Sequence, residues 1–141
     1  MIFPRRRIRA FLIYAHYDRE IVYGLYNCMI KDGIDVWLDA EKLLPGQSWK
    51  MEIGRAMLNS DVVLVCLSRQ FNKRKGYRHK ELKIALEKAN LLPDEKIFVI
   101  PVRLEECDMP ESLLHLHCVD LFEVGGYKKL IRALRVGGAE G

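Results

Sequence analysis

Two hydrophobic rhythms alternate along this chain. Ile8–Ala15 (IRAFLIYA) is a nearly continuous apolar run ending in polar residues, the pattern of a strand buried on both faces. A helical stripe follows at Ile21, Val22, Leu25, Cys28, Met29 and Ile30, with Asp18 placed to cap its start and Asp32-Gly33 to end it. Ile34–Leu38 (IDVWL) predicts a second, short strand. Asp39–Ser48 reads as a ten-residue loop whose Pro45-Gly46 signals a type II turn. Beyond Ser48, apolar Trp49, Ile53, Ala56 and Met57 predict a helix with acidic Glu52 in its first turn.

Val62–Leu67 (VVLVCL) is the most β-prone run, and Ser68 stands at its end. A polar, basic loop leads to a predicted helix over Tyr77–Asn90, which Pro93 terminates. Lys96–Val102 is a fourth strand, in which Pro101 marks a strand end or an edge position. An acidic loop over Arg103–Glu111, with a short helical turn starting at Pro110, separates it from a fifth strand at Val119–Phe122. Gly125-Gly126 opens a last helix with Tyr127, Leu130, Ile131 and Leu134 on its apolar face.

Strands and helices therefore alternate, which implies a parallel sheet covered by helices on both faces. The fold class expected is α/β, a flavodoxin-like three-layer fold with five parallel strands in the order 2-1-3-4-5. Residues 1–136 form one domain. The Gly-rich segment 137–141 reads as a tail, either disordered or a linker to another domain. Ligands of such sheets bind outside the carboxyl ends of the strands, near the switch between the first and third. Tyr14-Ala15-His16-Tyr17, Asp39 with its loop, and Ser68 stand at those ends.

Composition narrows the function classes. The 141 residues are one domain's worth, half apolar and 30% charged, an ordinary globular balance. The longest apolar run is about seven residues, too short to span a membrane, and the basic N-terminus lacks the apolar region of a signal peptide. The net charge is +4. Arg5, Arg6, Arg7 and Arg9 form one basic cluster and Lys73, Arg74, Lys75, Arg78, Lys80 and Lys83 another. Neither has the interleaved aromatics of a single-strand binder, so solvated surface is expected rather than nucleic-acid contact. Cys28, Cys66, Cys107 and Cys118 show no CxxC spacing, which fits a reducing compartment, with a cytoplasmic location expected. His115, His117 and Cys118 crowd together, but no second ligand pair stands at zinc spacing and no metal is expected.

Motifs of other five-stranded α/β proteins are missing. There is no acidic pair after the first strand and no Asp ending the third, as a phosphoacceptor receiver needs. There is no flavodoxin-type phosphate loop, GxxxxGK[ST], GxGxxG or GxSxG. Ser68 is thus read as a strand-end hydrogen-bonder, not a nucleophile. The stretch Gly76–Leu86 is the most informative. Leu82, Ala85, Leu86 and Ala89 form its apolar stripe, and Tyr77, Glu81 and Ala85 an adjacent row four residues apart. Glu81 then lies on the flank of the buried face, one turn after an aromatic ring. Taken alone, the segment also fits a half-exposed Glu among lysines, worth a few tenths of a kcal/mol.

Four blocks carry a resemblance over residues 8–135. FLIYAHYDRE resembles the first-strand box of TIR (Toll/interleukin-1 receptor homology) domains of the bacterial type. VWLDAEKLLPGQSWKMEI resembles their second strand, BB loop and following helix, VVLVCLSRQF their third strand with its terminal Ser, and GYRHKELKIAL the helix carrying an aromatic and then a Glu. The resemblance implies one of two functions. The first is NAD+ cleavage at the nicotinamide–ribose bond, giving nicotinamide and linear or cyclic ADP-ribose, activated by self-assembly and serving bacterial defence against phage. The second is a non-enzymatic scaffold acting through homotypic TIR–TIR contacts. A weaker third is transfer of the ADP-ribosyl group to a nucleotide or sugar.

Under the enzymatic reading Glu81 is the catalytic residue. A carboxylate there stabilises the oxocarbenium-like ribose or bonds its hydroxyls. Ala15, His16, Asp39, Lys42, Leu43, Ser68 and Tyr77 are the substrate-binding positions the resemblance carries over. His16 and Lys42 also read as plain surface residues, and Trp37 and Trp49 as core or interface. Tyr77 stands where the family often has Trp. NAD+ is the substrate, and no cofactor is expected. Expected partners are further copies of the chain, in an oligomer or filament, and a sensor domain in the same or another chain.

Overall fold

The computed structural model describes residues 7–38, 44–73 and 77–139, without the side chains of Trp49, Tyr77, Arg78 and Ala139. Five parallel strands are ordered β2-β1-β3-β4-β5, as the alternation predicts. They are β1 (Arg9–Ile13), β2 (Asp35–Leu38), β3 (Val62–Leu67), β4 (Val99–Arg103) and β5 (Val119–Asp120). The helices are α1 (Arg19–Lys31), α2 (Trp49–Leu58), α3 (Arg69–Lys73), α4 (Tyr77–Asn90) and α5 (Gly126–Ala139). Among the described residues, no helix is long and apolar enough to cross a membrane.

The pleat of the sheet sorts one core into two layers. Ala10, Leu12 and Tyr14 of the β1 segment point to the side where Val22, Leu25 and Met29 of α1 meet Leu130 and Leu134 of α5. Phe11, Ile13 and Ala15 point to the other side, against Ile53 and Met57 of α2 and Leu82 and Ala85 of α4. All six residues of β3 are buried, as the central strand of a doubly covered sheet requires. Register places Phe11 beside Trp37 on β2 and Val63 on β3, and the Phe11 and Trp37 rings stack with centroids 6.4 Å apart.

Turn chemistry follows the sequence in two places. At the end of α1, Gly33 (φ 84°) takes the left-handed conformation, with Gly33 N–H donating to Ile30 O and Ile34 N–H to Met29 O, both at 3.0 Å. At Pro45-Gly46, Gly46 has φ 89° and Gln47 N–H donates to Leu44 O at 3.1 Å, the expected type II arrangement.

Three features differ from expectation. Pro101 lies within β4, not at its end. Val63 N–H bonds Phe98 O and Leu104 N–H bonds Leu67 O, so the even positions of β4 bond toward β3. Leu121 N–H bonds Arg103 O, so the odd positions face β5. Pairing with β5 begins only at Val102–Val119, so the proline nitrogen sits where no neighbouring strand asks for a donor. A short helix, α3, occupies what reads as loop after β3. The boundary drawn at residue 136 falls inside α5, which runs on through Gly137 and Gly138. There the Lys96 ammonium bonds Gly137 O at 2.9 Å, and Gly137 packs so closely on Ile97 O that a Cβ would lie 2.9 Å from it.

Candidate active site

The carboxyl ends of the central strands converge on the start of the helix that carries Glu81. After β1, Ala15 remains buried, and Asp18 N–H donates to Ala15 O at 2.8 Å, closing a 3-10 turn over His16–Asp18. That turn exposes His16 and Tyr17 and points Asp18 inward. Asp39, Lys42 and Leu43, the expected substrate-binding residues after β2, lie outside the described residues.

After β3, Ser68 is 1% exposed, and its hydroxyl donates to Asp18 Oδ2 and accepts from Phe71 N–H at 3.0 Å. Asp18 occupies the N-cap position of α1 but makes no side-chain capping bond there. Its carboxylate instead joins the turn after β1 to the turn after β3. Sequence reasoning missed this pairing because the partner lies fifty residues away.

Electrostatics around this pair follow from burial. Desolvation pushes the Asp18 carboxyl above its ordinary value, the Ser68 hydrogen bond opposes that, and the charge of Glu105 adds to it. Glu105, in the segment after β4, accepts from Arg69 N–H at 2.8 Å. Beneath them, the buried Cys66 thiol is pushed up to about 12, by desolvation first and by the Asp18 charge second.

Helix α4 starts at this same edge of the sheet and packs on β1, β4 and α2. Its buried face includes Leu82 and Ala85, and also Glu81, which is only 3% exposed. The half-exposed glutamate among lysines is therefore not what the fold builds: the neighbouring Lys80 and Lys83 are exposed while Glu81 points inward. Tyr77 opens α4, and its side chain lies outside the described residues. Two residues along, the His79 ring meets Phe71 of α3 with centroids 5.3 Å apart, which fastens α4 to the segment that leaves β3. Ala15, Ser68 and Glu81 are thus brought to one edge, all buried, with His16 on the outer side. Such an arrangement presents a carboxylate in a poorly solvated setting, where its interaction with a developing positive charge is strongest.

Residues 10–134 match the family model of the TIR domain. The chain belongs to the TIR-domain family. The uncharacterized protein y4cD of Sinorhizobium fredii is 33% identical over 103 residues, covering 72% of this chain. The match takes in only 16% of that relative's length. Among solved structures, the TIR domain of the Toll-related receptor TRR-2 from Hydra magnipapillata superposes with a TM-score of 0.75 at 24% identity, covering 89% of this chain and 97% of that one. The TIR domains of the activated Roq1 resistosome give a TM-score of 0.62 at 21% identity, covering 94% and 82%. A prokaryotic SEFIR domain gives 0.67 at 20%, covering 90% and 98%. At these identities the structural likenesses speak to the fold alone.

Proposed function

We propose that this TIR domain hydrolyses the bond between nicotinamide and ribose in NAD+, with Glu81 as its catalytic carboxylate. The observation that carries the reading is the burial of Glu81 on α4, the helix that follows the third strand, in a family whose enzymatic members resemble this chain at that helix. Nicotinamide leaves with the bonding electron pair, and a positively charged, oxocarbenium-like ribose remains. Glu81 stabilises that charge or holds the ribose hydroxyls. Water then adds to the anomeric carbon and releases a proton, so NAD+ and water give nicotinamide, ADP-ribose and H+. Nicotinamide is a good leaving group as it stands, so a general acid is not essential.

Ala15, His16, Ser68 and Tyr77 line or support the substrate side in this reading, and Asp39, Lys42 and Leu43 complete it from the loop after β2. Self-assembly is proposed as the activating step. An assembled working state is what the family resemblance implies for an enzymatic TIR domain. Bacterial antiphage defence in the cytoplasm is the proposed setting. Other copies of this chain are the proposed partners, together with a sensor domain in the same or another chain.

The test is nicotinamide release by the purified chain, at high concentration or with a crowding agent, beside Glu81→Gln. Release by the wild type and its loss in an equally assembled variant assigns Glu81. Equal release from both removes Glu81 from the mechanism. An assembled protein that releases nothing returns the chain to the scaffold reading.

A further inference from the structure

Ser68, carried over from the family as a substrate contact, has a hydroxyl that is already committed. A hydroxyl has one hydrogen to donate and two lone pairs. Here the hydrogen goes to Asp18 Oδ2, one lone pair takes Phe71 N–H at 3.0 Å, and the residue is 1% exposed. One lone pair of the hydroxyl is all that is left for a ligand to bond. Its bonds instead link a series of contacts that ends on α4, the helix that carries Glu81. Asp18 N–H holds Ala15 O at 2.8 Å. Asp18 holds Ser68, Ser68 holds the first turn of α3, and Phe71 of that turn packs on His79, two residues before Glu81. Asp18, Ser68, Phe71 and Glu81 are all at least nine-tenths buried.

We propose that Asp18 and Ser68 are a positioning pair that fixes the helix bearing Glu81 against the turn after β1, so that the ribose of the dinucleotide meets the carboxylate in line. This rests on the NAD+-cleaving reading and adds two positioning residues to it, one of which, Asp18, the sequence marks only as a helix cap. The physical basis is alignment: small displacements of a catalytic group from the reacting carbon lose large factors in rate. Neither side chain needs to reach substrate for this effect.

The experiment is a double-mutant cycle on the full chain under assembling conditions, with Ser68→Ala, Asp18→Ala and the double variant, plus Ser68→Thr as the conservative replacement. Each Ala variant is expected to lower kcat about ten- to a hundredfold with KM nearly unchanged. The double variant should be no worse than the poorer single one, since both break the same link. Ser68→Thr should recover most of the rate. Should the Ala variants not fold, Asp18→Asn, which keeps an acceptor oxygen for Ser68 but loses the charge that strengthens the bond, is expected to lower kcat by a smaller factor with KM nearly unchanged, and a raised KM would overturn the proposal. The second readout is the NMR resonances of the His79 ring, which need no substrate and should shift in both single variants. Additive losses with a raised KM would make Ser68 a substrate contact and overturn the proposal. So would full turnover with an unmoved His79. An assembled wild type that releases no nicotinamide sinks the NAD+ reading alone. The His79 shift then still decides whether the pair places the Glu81 helix.

Discussion

Arg103 and Asp120 face each other as register partners across the β4–β5 ladder and close a two-pronged ion pair, Nε to Oδ1 at 2.6 Å and Nη2 to Oδ2 at 2.7 Å. The third guanidinium nitrogen donates to Cys107 O at 3.0 Å, and the guanidinium carbon lies 5.5 Å from the centre of the Phe122 ring. Strand β5 has only two residues, so its ladder alone is a weak attachment. The fork supplies the rest and binds the acidic segment after β4 to the sheet.

Acid should therefore loosen this edge. The Arg103 hydrogen bond, opposed by partial desolvation, holds the Asp120 carboxyl below its usual range. A carboxyl depressed in the fold contributes stability that is fully present above its unfolded value of about 4 and is lost as pH falls through the folded value. Asp120→Asn is expected to destabilise the domain by about 1–3 kcal/mol near neutrality. The gap between wild type and variant should close below about pH 4. Urea unfolding of both proteins at several pH values checks this, and a gap that persists undiminished in strong acid would refute it.

Two helical glycines should respond oppositely to alanine. At Gly126, the first residue of α5, an added Cβ would fall on the backbone carbonyl of Asp120, with Leu121 Cα only 3.1 Å away. Backbone cannot step aside as a side chain can, so Gly126→Ala is expected to destabilise by about 2 kcal/mol or more. Gly54, inside α2, has nothing within 4 Å of that position. Gly54→Ala should stabilise by about 0.5–1 kcal/mol through helix propensity. Denaturant midpoints of the two variants decide the matter, and the same sign for both would contradict the packing.

How much of this was legible in the sequence depends on the range of each interaction. Runs such as Val62–Leu67 announce a strand buried on both faces, their alternation with helical stripes implies a parallel sheet, and five strands with a buried first strand favour the order that the structure shows. The carboxyl edge of the strands follows from that order, so Ala15, His16 and Ser68 could be placed at one edge without coordinates. Glu81 could be placed on the flank of a buried face, though not known to be buried itself, because a helical wheel does not show which neighbours cover its flank. Helix α3 offers one buried apolar residue, Phe71, in five, too few to show a period. Gly137 and Gly138 read as a tail because glycine disfavours helix, yet close packing on Ile97 and Ile8 selects residues without a side chain. Asp18 carries the local signature of a cap, and only the fold reveals a partner fifty residues on.

The four cysteines give a prediction that joins the core to the candidate site. Cys28 is exposed on α1, whereas Cys66 is buried in β3 with its thiol pushed up to about 12. The thiolate is the reactive form, and at pH 8 a thiol raised this far is almost wholly protonated, even before burial denies a reagent access. Cys107, half-buried, is also raised, by desolvation ahead of the opposing Arg103 charge. Under a thiol reagent at pH 8 without denaturant, Cys28 should be modified first and Cys66 last. Cys66 can react only when the central strand opens, so its rate should rise with denaturant along the global unfolding curve. Mass spectrometry of peptides from a labelling time course reads each site separately. Rapid modification of Cys66 in the folded protein would mean that the central strand, and with it the floor beneath Asp18 and Ser68, opens far more readily than its packing implies.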